Sequence, residues 1–464
     1  MTMLKNSQSV ILERKSFALL MALFGAIFFY VVFESHHLRP SGDDYCYGAV
    51  TAEYGLFGGV VEWWNTWSGF AFAMFSANLL IGLPLAYLPF EFASSITFVL
   101  SALGMGLIIW CIYRSALPST PFPSSAIIFF AVCWWAFFWV SPALHGNVHK
   151  DFANGLTFWQ SLNGQYAIPF QFLISVLALN WPKEKSCSQI QLLLIAPLIG
   201  VLSGTAGTAI STTFIVAGTG LGCWAYFKNK RFNRTTYFWI ILCATAMIAA
   251  AACHLFSPGS LGRAQVLDPN LNLSIERVLS IAKETVWGGS KIWLKIYFSL
   301  GGLTVAFLAT LFSYTYTKIK GICYSKRVLL LAFWLGGFAY LQCLINRFSE
   351  EFTYQGYWHY LDATICGFIS IIFIGFWIGS YLADRKFQGI YKVLMLVIFG
   401  ATISASIKAN LFMVERMQWR SEEWAVGPSE IDGISDIGNA GGFELDCWNR
   451  LNKSRPRMTN RHKD

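Results

Sequence analysis

The chain has 464 residues, of which 55% are hydrophobic and only 13% charged, with mean hydropathy +0.49. A soluble domain carries about 25% charged residues, so this composition excludes an ordinary water-soluble globule and predicts an all-α polytopic membrane protein. The net charge of +9 does not indicate nucleic acid, because much of the Lys and Arg falls in short loops between apolar segments.

A membrane-crossing helix needs about 20 mostly apolar residues. Taken in chain order, about 11 segments meet that description: 16–33, 92–113, 124–143, 168–182, 189–203, 208–227, 236–255, 293–315, 327–345, 363–382 and 388–407. The fourth and fifth are short. The first is followed by Phe-Glu-Ser-His-His rather than a small-residue cleavage site, so it reads as a retained span, not a signal peptide.

Positive charge in short loops marks the cytoplasmic side. Lys5, Arg14 and Lys15 precede the first span, and later even-numbered loops carry Lys183 and Lys185, the 228–234 cluster, the 318–327 cluster, and Arg385 with Lys386. The expected N-terminus is therefore cytoplasmic, with 34–91, 144–167, 256–292 and 346–362 outside; the compact outer loops suggest a bacterial inner (plasma) membrane. Residues 66–90 carry no charge and could cross, but crossing would invert every later basic loop. They are expected to be re-entrant or interfacial instead, in keeping with Pro84, Pro89 and the Trp63-Trp64-x-x-Trp67 cluster. The expected organisation is a transmembrane domain over 1–407 and a short extracytoplasmic tail over 408–464.

The 11 cysteines show no metal-type spacing. Most lie in apolar segments as packing residues. Cys46 and Cys447 lie outside them, where a pairing is open. His145 and His149 have i,i+4 spacing, yet no Glu follows the first His as it does in a zinc-protease motif, so no metal site is expected.

Polar groups kept at a membrane face point to function, and they gather in four segments. The first begins with Arg39 and the pair Asp43-Asp44-Tyr45, followed by Glu62, Trp64 and Trp67. Adjacent carboxylates repel, so one is expected to hold a proton more readily and to serve as a proton acceptor. The bland alternative is a solvated loop with an Asp helix cap. Aromatic faces beside polar groups suit either sugar binding or the headgroup layer. The second segment runs from Trp159 through Gly164 and Tyr166 to Pro169. The third is Ser257-Pro258-Gly259-Ser260-Leu261-Gly262-Arg263, where an Arg near headgroups suits a phosphate. The fourth holds Arg347, Tyr354, Tyr357, Trp358 and His359. No P-loop, GxGxxG or GxSxG with triad partners is present, and the basic loops are too short for a nucleotide domain.

These residues resemble the GT-C class of membrane glycosyltransferases, which use polyprenyl-phosphate sugars; O-antigen-decorating enzymes and uncharacterised bacterial relatives look similar. The resemblance rests on Asp43-Asp44-Tyr45, the Trp63–Trp67 stretch, Trp159/Gly164/Tyr166/Pro169, and Pro258-Gly259 with Arg263. It covers about residues 16–265. It departs at Gly204-Thr205-Ala206-Gly207-Thr208, where relatives often carry an acid, and at Ser68-Gly69-Phe70, where they place Gly-Arg.

The resemblance implies an inverting transfer from a polyprenyl-phosphate donor to a cell-surface glycan or lipid-linked acceptor. Asp44 or Asp43 would be the general base, and Arg263 or Arg347 would meet the leaving phosphate. Arg39, Glu62, Trp64, Trp67, Trp159, Tyr166 and His359 would contact substrate. No cofactor and no metal is implied. Other classes weighed are an O-antigen polymerase, which would want Arg-rich outer loops, a transporter or flippase, which would place ionisable groups at the bilayer midplane, and a structural or receptor role.

Overall fold

The computed structural model describes residues 44–116, 163–182, 187–261, 275–298, 300–320, 326–353 and 361–384, together with scattered positions nearer the termini that include 447, 449–451, 453 and 454. The described residues are helical, with no strand among them. Among the described residues, four helices are long and apolar enough to cross a membrane: Thr208–Asn229, Arg234–Phe256, Val328–Phe348 and Ala363–Ala383. Large apolar side chains such as Leu193, Phe227 and Leu330 face outward, where lipid rather than water would be their solvent. The chain is thus a helical membrane protein. The expected spans 124–143 and 388–407 and most of 16–33 lie outside the described residues.

The helices follow in order. Helix α1 is Asp44–Thr66. Helix α2 is Ala71–Tyr87, with a π-helical turn at Asn78–Gly82. It stops where Leu88 turns extended ahead of Pro89, a residue pair that disfavours helix. At 17 residues it rises about 25 Å.

Helix α3 is Phe90–Ala116. A π turn, Asn163–Ala167, leads into α4, Ile168–Leu179. Helix α5, Gln191–Gly204, opens on a reciprocal cap: Ser188 N donates to Gln191 Oε1 at 2.8 Å and Gln191 N to Ser188 Oγ at 3.1 Å. Two N–H groups that helix geometry leaves orphaned are satisfied this way. Helix α6 is Thr208–Asn229. It is stopped by Lys230 in the left-handed region, and α7, Arg234–Phe256, is capped by Asn233, whose side chain accepts from Thr236 N at 2.8 Å.

Helices α8 (Ile275–Phe298), α9 (Leu300–Lys320), α10 (Lys326–Thr353) and α11 (Leu361–Asp384) follow. Here the expectation of a loop to 292 and a span over 293–315 needs correction. A helix already runs from Ile275, and a second one opens at Leu300. The charges that suggested a loop lie on one side of an amphipathic helix: Lys283, Glu284 and Lys291 are exposed, while Ile281 and Ile296 are buried. The 3.6-residue period accounts for both. Helix α8 packs antiparallel on α10: Ser290 pairs with Tyr340 at 3.0 Å, and Trp293 Nε1 donates to Gly336 O at 3.0 Å.

Two cores result. The larger, in the bundle, contains Phe170, Phe238, Phe312, Phe368, Phe373 and Phe376. Helix α11 lies at its centre: 72% of its apolar stretch is buried, against 39–44% in the other three long apolar helices. The smaller core joins α1 to α2 through Tyr45, Tyr47, Val50, Trp63, Met74, Ile81 and Leu85, and it also includes Cys447 and Leu451.

Candidate functional site

Asp44 is the first residue of α1 and is fully buried, at 0% exposure. That overturns the reading of this carboxylate as part of a solvated loop. Its place in the first turn puts it among backbone N–H groups with no partner inside the helix, at the positive end of the helix dipole. One turn on, Tyr47 is buried with its ring 4.9 Å from that of Trp63. The Tyr47 hydroxyl accepts from Gln165 Nε2 and donates to Met74 Sδ at 3.7 Å. Trp63 Nε1 donates to Asn78 Oδ1 at 3.1 Å, and Asn78 Nδ2 donates to Leu56 O at 3.4 Å. Met74 and Asn78, one turn apart on α2, therefore both receive side chains of α1.

Helix α1 is bent inside its length. Gly55 has φ 72° and ψ −179°, a conformation essentially restricted to glycine. A Cβ at Gly55 would meet nothing within 4 Å, so backbone conformation rather than space requires the glycine. The kink separates the half that begins at Asp44 from the half that carries Glu62, Trp63 and Trp64.

The third segment holds that second half. Ser257 Oγ donates to Trp64 O at 2.7 Å, and Ser260 Oγ accepts from Gly69 N at 2.8 Å. The two strips of backbone touch closely enough to demand glycine on both sides: a Cβ on Gly259 would lie 2.4 Å from Trp67 N, and one on Gly69 would lie 2.3 Å from Cys253 O. The expected Pro-Gly turn is instead a short helical turn, with Leu261 N bonded to Ser257 O, and it clamps the Trp-rich segment. Trp67 stays 41% exposed beside it, and Trp64 and Glu62 are half-buried.

The second segment and the α5–α6 turn close the layer. Gly164 lies under α2, where a Cβ would approach Ile81 Cδ1 to 2.6 Å. The Tyr166 ring lies against Gly207, whose Cβ position is 3.3 Å from Tyr166 Cε1. Thr205 O accepts from Phe72 N at 3.0 Å and Ala73 N at 3.2 Å, so this carbonyl satisfies orphan donors at the start of α2. Helix α11 also packs on the 163–167 turn.

Asp44, Glu62, Trp64, Trp67 and Tyr166 thus belong to one layer. Arg347 lies on α10 against α8, where its Nε is 2.7 Å from the Cβ position of Gly288. Asp43, Arg39, Trp159, Arg263 and His359 lie outside the described residues. Among the described residues, no group of three or more His, Cys, Asp or Glu is placed to hold a metal.

Comparison with protein-family models, curated proteins and solved structures gives no match.

The sequence reading passed over three residues of the layer, Tyr47, Met74 and Asn78, and gave Gln165, inside the second segment, no role of its own. Asn78 had a usable signal, being the lone amide in the apolar stretch 71–88, since polar groups in such stretches are costly and kept for a reason. A further attachment comes from the far end of the chain. Cys46 and Cys447 form a disulfide with Cα atoms 4.7 Å apart. Arg450 pairs with Glu53 through two hydrogen bonds, Nε to Oε1 at 3.1 Å and Nη2 to Oε2 at 2.5 Å. Leu451 is fully buried on Gly48.

Proposed function

We propose that the chain is a GT-C-type glycosyltransferase that transfers a sugar from a polyprenyl-phosphate donor to a cell-surface glycan or lipid-linked acceptor. The observation that carries the reading is a fully buried carboxylate, Asp44, opening a helix in a layer drawn from three of the motif segments. In this reading Asp44, with Asp43 beside it in sequence, accepts the proton of the attacking hydroxyl. The hydroxyl oxygen bonds to the anomeric carbon as the bond to the phosphate oxygen breaks, which inverts the configuration. Arg263 meets the charge growing on the phosphate, with Arg347 as second candidate and Arg39 and His359 on the same side. Trp64, Trp67 and Trp159 offer faces for sugar rings, and Glu62 and Tyr166 orient hydroxyls.

The α1–α2 layer faces outward from a bacterial inner membrane in this proposal, with a cytoplasmic N-terminus and about 11 spans. The Cys46–Cys447 bond supports that sidedness, since disulfides persist in oxidising compartments. It also supports an outward tail.

The test is mass analysis of the surface polysaccharide from three strains of the native host: lacking the protein, carrying it, and carrying Asp44→Asn at matched membrane level. The expected result is one added sugar on the repeat unit with the native protein only. A repeat unit unchanged by the native protein overturns the transferase reading. Full modification by Asp44→Asn removes Asp44 as base.

A further inference from the structure

We propose that the segment carrying Cys447, Arg450, Leu451 and Ser454 is a strap, closed on α1 by thiol oxidation, that holds the Asp44-bearing half of α1 in place about a hinge at Gly55. Its three attachments are of different kinds, and all fall on α1 before that glycine. Cys447 bonds covalently to Cys46, two residues from Asp44. Leu451 fills the space left by Gly48, where a Cβ would lie 3.0 Å from Leu451 Cδ2 and 3.1 Å from Leu85 Cβ. Arg450 and Ser454 both donate to the Glu53 carboxylate, the latter at 3.4 Å.

The half of α1 after the hinge is fixed by other means: Ser257 on Trp64 O, and Asn78 on Trp63 and Leu56. Before the hinge, the strap acts together with the Tyr47–Gln165 pair. Tyr47 is also held on α2 by Met74, and Tyr45, Tyr47 and Val50 pack in the small core, so removing the strap loosens the first half of the helix without detaching it and leaves the contacts of the second half in place. Cys447, Arg450 and Leu451 are positioning residues in this scheme, acting on Asp44 through α1.

Closing the strap is a redox step with a definite partner class. Two thiols lose two protons and two electrons as the Sγ–Sγ bond forms. The electrons reduce the disulfide of a thiol–disulfide oxidoreductase to its dithiol, by way of a mixed disulfide with Cys46 or Cys447. The strap itself does not depend on the transferase reading; only its effect on sugar transfer does.

The experiment uses the full chain in membranes of intact cells, with a protease site inserted ahead of Cys447. After cleavage, the C-terminal fragment is expected to stay with the rest of the chain on a non-reducing gel and to leave it on reduction. A membrane-impermeant maleimide is expected to reach Cys46 and Cys447 only after reductant is added. Labelling without reductant, or only after the cells are permeabilised, overturns the proposal. Positioning is read by amide hydrogen exchange on the purified chain. Reduction should speed exchange over residues 44–54 by at least about tenfold and leave 56–66 little changed. Equal change in both halves, or none, overturns the hinge. Arg450→Glu keeps both cysteines and should raise exchange over 44–54 by a smaller factor, which keeps the test open if Cys447→Ser fails to accumulate. A native protein that leaves the glycan unchanged sinks the transferase reading without touching the exchange result.

Discussion

In the bundle around α11, helices meet through small residues and short hydroxyl-to-carbonyl contacts. Ser313 Oγ donates to Phe376 O at 2.6 Å and Ser370 Oγ to Ala332 O at 2.7 Å, and a Cβ on Gly375 would lie 2.7 Å from Ala306 O. Such packing suits lipid, where close approach rather than expulsion of water holds helices together. In the α1–α2 layer the joints are side-chain amides, an indole, a phenol, an ion pair and a disulfide. The joints around α11 leave no room for bulk, whereas those of the layer draw on more kinds of polar group. The buried carboxylate of Asp44 lies in the second setting, in the first turn of α1, where backbone N–H groups lack partners inside the helix.

Substitutions can break that contrast. The largest effect is expected from Asp44→Asn, which should lower sugar transfer by roughly 10²–10⁴-fold while the thermal midpoint in detergent stays near that of the native protein. A matching fall in stability would make Asp44 a structural residue. Next is Gly375→Val in the bundle, where overpacking should cost about 1–3 kcal/mol, seen as a lower thermal midpoint. Asn78→Leu should cost a similar amount, about 1–3 kcal/mol, by leaving the Trp63 indole N–H buried without its acceptor; Trp63 fluorescence in a single-Trp background would report the change. Gly55→Ala puts a side chain into a backbone region that excludes it, at about 1–3 kcal/mol, and should straighten or shift α1 without creating a clash. The smallest effect is expected from Arg450→Ala. Its side chain is 35% exposed, so the pair with Glu53 should contribute no more than about 1 kcal/mol, and less in high salt. A large loss there would mean that the ion pair, rather than the disulfide and Leu451, holds the strap.

The long apolar runs were the most legible part of the fold. The expected 208–227, 236–255 and 363–382 correspond to Thr208–Asn229, Arg234–Phe256 and Leu361–Asp384, because hydropathy over about 20 residues is a strong signal. Helix α8 was not legible by that measure, since Lys283, Glu284 and Lys291 dilute its hydropathy while leaving its period intact. In the candidate site, Asp44, Trp64, Trp67 and Tyr166 could be named from sequence because they stand in short motifs. Tyr47 and Gln165 could not, as their pairing spans 118 residues and no local pattern announces it. The Cys46–Cys447 bond spans 401 residues and had only the position of both cysteines outside apolar segments to suggest it.

That separation also sets a clock on assembly. At about 5–20 residues per second, a ribosome needs roughly 20–80 s to make the 401 residues between the two cysteines. For that time Cys46 waits as a thiol while the bundle is inserted around it. Cys111, Cys243, Cys253, Cys343 and Cys366 are all buried in the finished molecule, so as the helices pack they withdraw from competition. Their burial removes five competitors for Cys46, while Cys223 stays exposed, so the pairing with Cys447 also needs the contacts that bring Leu451 onto Gly48 and Arg450 onto Glu53.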